Sequence, residues 1–288
     1  MNPSSPCQAD EPFRVRAVAR DEMRLFFDWA NREGWNPGLH DGPCFHDADP
    51  NGMLVAELHG EPVACIGCVR YSNSFAFVGQ YIARPEFRGR GLGLRLWTAG
   101  LARLAGCNTG LDGVLDQVKN YERSGFRFSH HHIRYGGSPA GKTAPGLTRL
   151  DAVPFPEVLA YDRECFPAPR EAFLRSWLAQ PESASLGVLR EGTLAGFAVA
   201  RKAVEGFKIG PLFADDATAA ESLFLGLVKE TGGPVVIDVP EASVHPTAEG
   251  IVQRHGLTEV FRCARMYTRG RPAVAFDKVF GVTSLELG

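Results

Sequence analysis

Apolar and polar residues follow the spacing of regular secondary structure along most of the first half of the chain. Three short apolar runs predict strands, at residues 53–58, 62–71 and 75–83. Residues 91–106 place an apolar side chain at every third or fourth position, which predicts a helix with one buried face. The first two strands are separated by His59-Gly60-Glu61, which indicates a hairpin.

Further strands, helices and a loop are predicted before, between and after these elements. We expect further strands at residues 13–18, 109–114 and 126–135, helices at 21–32 and 115–124, and a loop at 34–52. This order predicts a mixed, mostly antiparallel sheet flanked by helices, of the α/β (α+β) class.

A segment rich in glycine and proline divides the chain. Residues 136–146 contain four glycines and two prolines, a composition that sustains neither a helix nor a strand. We therefore expect an N-terminal domain at 1–137, a linker at 138–146 and a C-terminal domain at 147–288.

The second half repeats the first faintly. The run 64–70 resembles 194–201, and Leu111-Asp112 resembles Ile237-Asp238 at nearly the same offset. Such matches in register indicate two copies of one fold.

Composition and charge argue against some classes of binding partner and location. The chain has 288 residues, with 31 Lys and Arg against 33 Asp and Glu, so no basic excess indicates nucleic acid. No run of about 18 apolar residues predicts a membrane span, and residues 1–10 do not resemble a secretory signal. Seven scattered cysteines do not suggest a disulfide framework. We expect a cytoplasmic protein.

The most informative motif is Arg88-Gly89-Arg90-Gly91-Leu92-Gly93, between a predicted strand and a predicted helix. Glycines at alternate positions let backbone N–H groups face a ligand, and the helix N-terminus and the two arginines favour a negative charge. These are the requirements of a pyrophosphate site. The motif lacks the Gly-Lys-Ser/Thr of a P-loop and the glycine spacing of a dinucleotide fingerprint.

Arg88-x-x-Gly91-x-Gly93, after a strand and before a helix, resembles the acyl-CoA signature of the GNAT N-acetyltransferases. Glu33-Gly34-Trp35-Asn36-Pro37-Gly38 and the C-terminal run 280–288 also resemble a subfamily of tandem GNAT proteins. The resemblance implies two GNAT-like domains, acetyl-CoA as co-substrate and a degenerate second domain. The segment 209–216 lacks the glycines and arginines of the motif and carries Asp215 and Asp216 instead.

The resemblance also implies roles for particular residues. Tyr121 would protonate the CoA thiolate, since a phenol is protonated at neutral pH. The alternative for Tyr121 is packing beneath the sheet. The residues expected to bind the cofactor are Tyr81, Ile82, Ala83, Arg88, Gly89, Arg90, Gly91, Leu92, Gly93 and Asn120.

The general base is harder to assign. Many GNAT enzymes use a glutamate on the fourth strand, where this chain has Gln80. Asp112 is the leading candidate, and its alternative role is to hold the turn at Gly113. His130, His131 and His132 alternate between faces in a strand, so we expect no metal site.

Trp35, Asn36 and Asp41 lie where this fold usually builds its acceptor pocket, and an aromatic ring with a carboxylate suits an amine. A structural role for this loop is the alternative. The sequence thus predicts an N-acetyltransferase that transfers an acetyl group to the amine of a small molecule by direct attack. The alternative is a non-catalytic acyl-CoA sensor or scaffold. The sequence leaves open whether the protein is a monomer or a homodimer.

Overall fold

The computed structural model describes residues 12–288, and within them thirteen strands form one sheet with eight α-helices around it. The strands are β1 (Phe13–Ala17), β2 (Met53–Leu58), β3 (Glu61–Arg70), β4 (Phe75–Ala83), β5 (Asn108–Val114), β6 (Arg127–Gly137), β7 (Leu147–Arg149), β8 (Ser183–Arg190), β9 (Thr193–Lys202), β10 (Phe207–Ala214), β11 (Val235–Pro240), β12 (Thr258–Tyr267) and β13 (Val279–Gly281). The helices are α1 (Arg24–Arg32), α2 (Asp41–Ala48), α3 (Leu92–Arg103), α4 (Val118–Arg123), α5 (Phe155–Cys165), α6 (Glu171–Leu178), α7 (Ala217–Thr231) and α8 (Pro246–Arg254).

The predicted mixed α/β fold is confirmed, and the three central apolar runs are the strands β2, β3 and β4. One local prediction is wrong. The sequence predicts a loop at 34–52, but this segment contains α2. The Gly, Pro and Asp residues of this segment are typical of a loop, and for that reason the sequence does not predict the helix. Pro43 lies in the first turn of α2, where its missing N–H costs no hydrogen bond.

Each half builds the same arrangement of strands. In the first half β1 to β4 are antiparallel and β5 runs parallel to β4. In the second half β7 to β10 are antiparallel and β11 runs parallel to β10. This is the duplication that the internal matches indicated.

The two halves exchange their last long strands. β12, from the second half, pairs with β5 of the first half, while β6, from the first half, pairs with β11 of the second. β12 and β6 also pair with each other, so the sheet order is β1-β2-β3-β4-β5-β12-β6-β11-β10-β9-β8-β7. Neither half completes its sheet without a strand from the other.

The sheet separates two layers. On one face, here called the α3 face, α3 packs on β2 to β4 and α7 packs on β8 to β10. On the other, the α2 face, α2 contacts α6, and a core that includes Phe45, Trp177 and Val199 joins both halves. Residues 279–288 are all buried, and Leu287 belongs to that shared core.

Candidate functional site

The first half contains a gap between two neighbouring parallel strands. β4 and β5 are in register from Phe75 opposite Asn108 to Val78 opposite Leu111. Beyond that point residues 82–83 pair with β3 and residues 112–114 pair with β12. Gln80, at the start of the gap, has a φ of 52°, a left-handed conformation that turns the backbone of β4. Beyond Val78 and Leu111, β4 and β5 are therefore not hydrogen-bonded to each other, and this unpaired stretch is the gap.

The glycine motif lies immediately after this gap. Gly89 and Gly91 have φ values of 74° and 77°, which L-residues with a Cβ rarely adopt, and a Cβ on either would point into open space. Arg88 donates from Nε to the carbonyl of Ala83 at 2.8 Å and pairs with Glu33. The turn is thus fixed to the end of β4 and to Glu33, the residue after α1.

Several predicted cofactor residues surround this turn. Gly93 lies against Tyr81, whose hydroxyl oxygen would be 2.6 Å from an added Cβ. The Arg90 guanidinium lies 5.5 Å from the centre of the Phe87 ring. Ile82 and Leu92 are buried, so their side chains are not available to a ligand at the turn.

Tyr121 lies on the α3 face in a cluster of aromatic rings. Its ring centre is 5.6 Å from that of Trp97, which is 5.3 Å from that of Tyr81. An added Cβ on Gly113 would lie 2.2 Å from the Tyr121 ring, so this glycine makes room for it. Burial raises the pKa of Tyr121 to about 12, and the phenol therefore carries its proton at neutral pH. The neighbouring Asn120 is exposed and donates to Gln117.

Asp112 points to the opposite face of the sheet from Gly113. Arg265 of β12 donates to both of its oxygens, at 2.9 and 2.6 Å, and its side chain is completely buried. Burial acts to raise the pKa of Asp112, but the charge of Arg265 and the hydrogen bond with His132 outweigh it and hold the pKa below its usual range. A carboxylate in this state is a weak proton acceptor. The geometry does not support the general-base role predicted from the sequence.

The histidines extend this cluster across β6. His132 Nδ1 lies 3.0 Å from Asp112, and His132 Nε2 lies 3.1 Å from His130 Nε2. An ionised Asp112 accepts from His132, so His132 must in turn accept from His130. Burial lowers the pKa of His130 to about 2, so the ring is neutral. Among residues 12–288 no three His, Cys, Asp or Glu side chains are grouped as metal ligands would be.

The residues predicted to bind the acceptor instead join the two halves. Asn36 exchanges two hydrogen bonds with the backbone of Glu205, at 3.0 and 2.8 Å. Asp41 is buried against Arg201 of β9, at 2.9 Å, and the carbonyl of Trp35 accepts from Arg134 at 3.2 Å. These contacts favour the structural alternative for this loop over an acceptor site.

The corresponding gap in the second half is filled by the chain itself. β10 and β11 pair over Phe207–Ile209 opposite residues 235–237 and then separate. β13 pairs with β10 beyond that point, and the Val282 N–H donates to the carbonyl of Asp238 on β11 at 3.0 Å. An added Cβ on Gly210 would lie 2.5 Å from the carbonyl oxygens of Val282 and Thr283.

Sequence reasoning missed the residues that hold these parts together. Arg134 on β6 and Arg265 on β12 occupy matching places, 131 positions apart, and each pairs with the aspartate at the end of a Leu-Asp or Ile-Asp pair in the other half. That offset is close to the offset of the internal repeat. The offset between the two arginines can therefore be read from the sequence. The sequence does not show that each arginine pairs across to the other half, because that depends on the exchange of β6 and β12.

Two family models match the chain, and both describe the same fold. The model "Acetyltransferase (GNAT) family" matches residues 11–126, and "Acetyltransferase (GNAT) domain" matches residues 158–281. The chain belongs to the GNAT family. It is a tandem GNAT acyltransferase, as the glycine motif and the internal repeat together indicated.

Proteins similar to this tandem GNAT protein span most or all of its length. It is 28% identical over 285 residues to the holothin acyltransferase of Pseudoalteromonas sp. (strain SANK 73390), covering 98% of this chain and 96% of that protein. A putative acetyltransferase from Pyrococcus horikoshii has a TM-score of 0.82 at 20% identity and covers both chains completely. A tandem GNAT protein from the clavulanic acid biosynthesis pathway has a TM-score of 0.61 at 15% identity, covering 88% and 98% of the two chains.

No helix within residues 12–288 combines the length and the apolar character that a membrane span needs.

Proposed function

We propose that this GNAT protein binds acetyl-CoA in its first half and transfers the acetyl group to the amine of a small molecule. The observation that carries the proposal is the gap between β4 and β5, followed at once by an open turn with glycines at 89 and 91. A gap beside a strand exposes backbone donors to a thioester, and the N-terminus of α3 favours the pyrophosphate. A relative that matches over nearly its whole length and is named as an acyltransferase supports the same chemistry.

The reaction we propose is direct attack. An uncharged amine adds to the thioester carbonyl, and backbone N–H groups near residues 81–83 stabilise the oxyanion. As the C–N bond forms, the C–S bond breaks and Tyr121 donates its proton to the departing thiolate. The proton lost from the amine nitrogen restores Tyr121 through solvent, so the products are an amide and free CoA. No acyl-enzyme is required.

We assign one cofactor site to each chain. β13 lies where a pantetheine arm would enter the second half, and Asp216, which pairs with Arg190, already accepts from the Ala219 N–H at the N-terminus of α7, where a pyrophosphate would bind. The second half then contributes strand β12 and the covering of the α2 face. Because acetyl-CoA is made and used inside cells, we place the activity in the cytoplasm.

Calorimetric titration with acetyl-CoA tests the site. Gly91→Val adds a branched side chain to the open turn, and we expect it to weaken binding about tenfold or more. Gly106→Val is the matched control, because Gly106 also has a positive φ, 90°, and open space around it, at the other end of α3. Two sites per chain, or equal effects of the two variants, would contradict the proposal.

A non-catalytic acyl-CoA sensor is the second candidate, favoured by the locked state of Asp112. Release of free CoA thiol distinguishes the two functions. A sensor binds acetyl-CoA but releases no thiol above the hydrolysis background with any amine, whereas the transferase releases thiol in proportion to the acetylated product.

A further inference from the structure

The first arginine of the glycine turn already has a carboxylate as its partner. Arg88 donates from Nη2 to Glu33 and from Nε to the carbonyl of Ala83, at 2.8 Å. The N–H of Arg84 donates to the Val63 carbonyl on β3 at 3.0 Å, so the carbonyl of the neighbouring Ala83 points away from β3 and into the gap. The Arg88 guanidinium therefore lies where the gap meets the turn, and it separates the Glu33 carboxylate from the gap.

The backbone holds Glu33 in this place. Glu33 directly follows α1, and its N–H donates to the carbonyl of Trp29, a residue buried in the core on the α2 face. Three residues later, Asn36 makes its two hydrogen bonds with the backbone of Glu205 in the second half. The chain is therefore fixed on both sides of Glu33, and the carboxylate stays within reach of Arg88.

The ion pair is accessible to a ligand from solvent. The side chains of Arg88 and Glu33 are 49% and 28% exposed. The surface beside them is open at Gly89 and Gly91. An exposed ion pair is only weakly stabilising, so an exchange of partners costs little. A pyrophosphate at the turn would be attracted by the charge of Arg88 and repelled by that of Glu33.

A second arginine near the turn is paired on the other side of β4. Arg84 pairs with Glu61 and Glu86, and its Nη1 donates to the carbonyl of Pro62 on β3 at 3.0 Å. These contacts place its guanidinium beside β3, on the side of β4 away from the gap. Glu86 therefore carries the same charge as Glu33 near the same turn, but its partner does not face the gap.

We propose that Glu33 competes with the pyrophosphate of acetyl-CoA for Arg88 and thereby sets the affinity of the cofactor site. The inference rests on the proposed function. When acetyl-CoA binds, Arg88 keeps its hydrogen bond to Ala83 and exchanges the carboxylate for phosphate oxygens. When CoA leaves, Glu33 pairs with Arg88 again. Because CoA carries the same pyrophosphate, Glu33 weakens the binding of the product as well and favours its release.

Calorimetric titration of the Glu33→Gln variant tests the competition. At about 0.05 M salt we expect the Kd for acetyl-CoA, and equally that for CoA, to fall about threefold or more relative to the wild type. The difference should shrink at about 0.5 M salt, because the salt screens the carboxylate. A Kd that is unchanged or higher in Glu33→Gln overturns the inference.

Glu86→Gln is the matched control, because it removes the same charge beside the same turn. We expect it to change the Kd for acetyl-CoA by less than about twofold at the lower salt concentration. If Glu86→Gln tightens binding as much as Glu33→Gln does, the effect comes from the net charge of the surface, and the inference is overturned.

A double variant tests whether Glu33 acts through Arg88. Arg88→Gln removes the charge for which the two anions compete, so we expect Arg88→Gln/Glu33→Gln to bind acetyl-CoA less than about twofold more tightly than Arg88→Gln alone. A gain as large as that in the wild-type background shows that Glu33 acts independently of Arg88, which contradicts the proposal.

The outcomes separate this inference from the proposed function. If neither the wild type nor Glu33→Gln binds acetyl-CoA, the proposed function itself fails. If both bind acetyl-CoA with the same Kd, the proposed cofactor site stands and only the competition by Glu33 is overturned.

Discussion

Asp112 and Arg265 form a buried, two-pronged ion pair between β5 of the first half and β12 of the second. Arg134 and Asp238 form the matching pair, at 2.7 and 2.9 Å. Here the arginine is on β6 of the first half and the aspartate is on β11 of the second. Each exchanged strand thus carries an arginine into the other half, where an aspartate receives it. A strand that slipped in register would leave two charges unpaired in the interior, so these pairs specify the exchange.

Replacing Arg265 should lower the free energy of unfolding far more than replacing a surface arginine does. We expect Arg265→Met to lower the free energy of unfolding by about 3–5 kcal/mol, because Asp112 is left as an unpaired buried charge. Denaturant unfolding measures this. Arg149→Ala is the control: Arg149 and Asp151 are two-thirds exposed, and the loss should stay below about 1 kcal/mol. The double variant Asp112→Asn/Arg265→Met should recover part of the loss. A loss as small as that of Arg149→Ala would show that the pair does not hold the halves together.

Stability should fall as the pH falls below about 6.5. His130 and His132 have pKa values below the ordinary range in the folded protein, so the unfolded chain binds the extra protons. His130 then contributes a loss of about 2 kcal/mol between about pH 7.5 and pH 5, and His132 adds a loss in the same direction. The lowered pKa of Asp112 adds a separate loss only below about pH 4. We expect His130→Gln to reduce the slope between pH 7.5 and 5, and His59→Asn, on an exposed turn, to leave it unchanged. A slope that His130→Gln does not alter would contradict the neutral state of the pair.

Tyr121→Phe should separate catalysis from binding. Without the phenolic proton the CoA thiolate leaves unprotonated, and we expect kcat to fall about a hundredfold while the Kd for acetyl-CoA changes by less than about twofold. Tyr81→Phe is the matched control, because Tyr81 lies in the same ring cluster and burial raises its pKa too. Equal losses in kcat for the two variants, or parallel losses in kcat and affinity for Tyr121→Phe, would argue for a packing role instead.

Gly79→Ala should dislodge the C-terminal segment. An added Cβ would lie 2.1 Å from the carbonyl oxygen of Glu286, a backbone atom that cannot move without shifting residues 282–288. We expect a loss of about 1–3 kcal/mol in the free energy of unfolding. Gly233→Ala is the control, since its nearest contact would be Thr231 at 3.9 Å. If the two variants unfold at the same denaturant concentration, the segment is not docked against β4 as described.

The elements of each half were accessible from the sequence because their signals are local. The apolar periodicity predicts β2, β3, β4 and α3 within a few residues of their observed ends. The glycine motif is equally local: a turn with two positive φ angles between a strand and a helix selects glycine at those positions whatever lies around it. The cofactor end of the proposed site could therefore be predicted, while α2 escaped because its short sequence looks like a turn.

The amino-acid sequence by itself determined the family, the duplicated order of elements and the location of the glycine turn. Only the tertiary structure decided what Asp112, Asn36 and Asp41 do, because their partners are Arg265, Glu205 and Arg201, each more than a hundred positions away. A carboxylate beside a strand end has the same sequence signature whether it accepts a proton or holds an arginine. The surrounding residues decide which role the carboxylate has. For Asp112 the deciding residue is Arg265, on strand β12 of the other half.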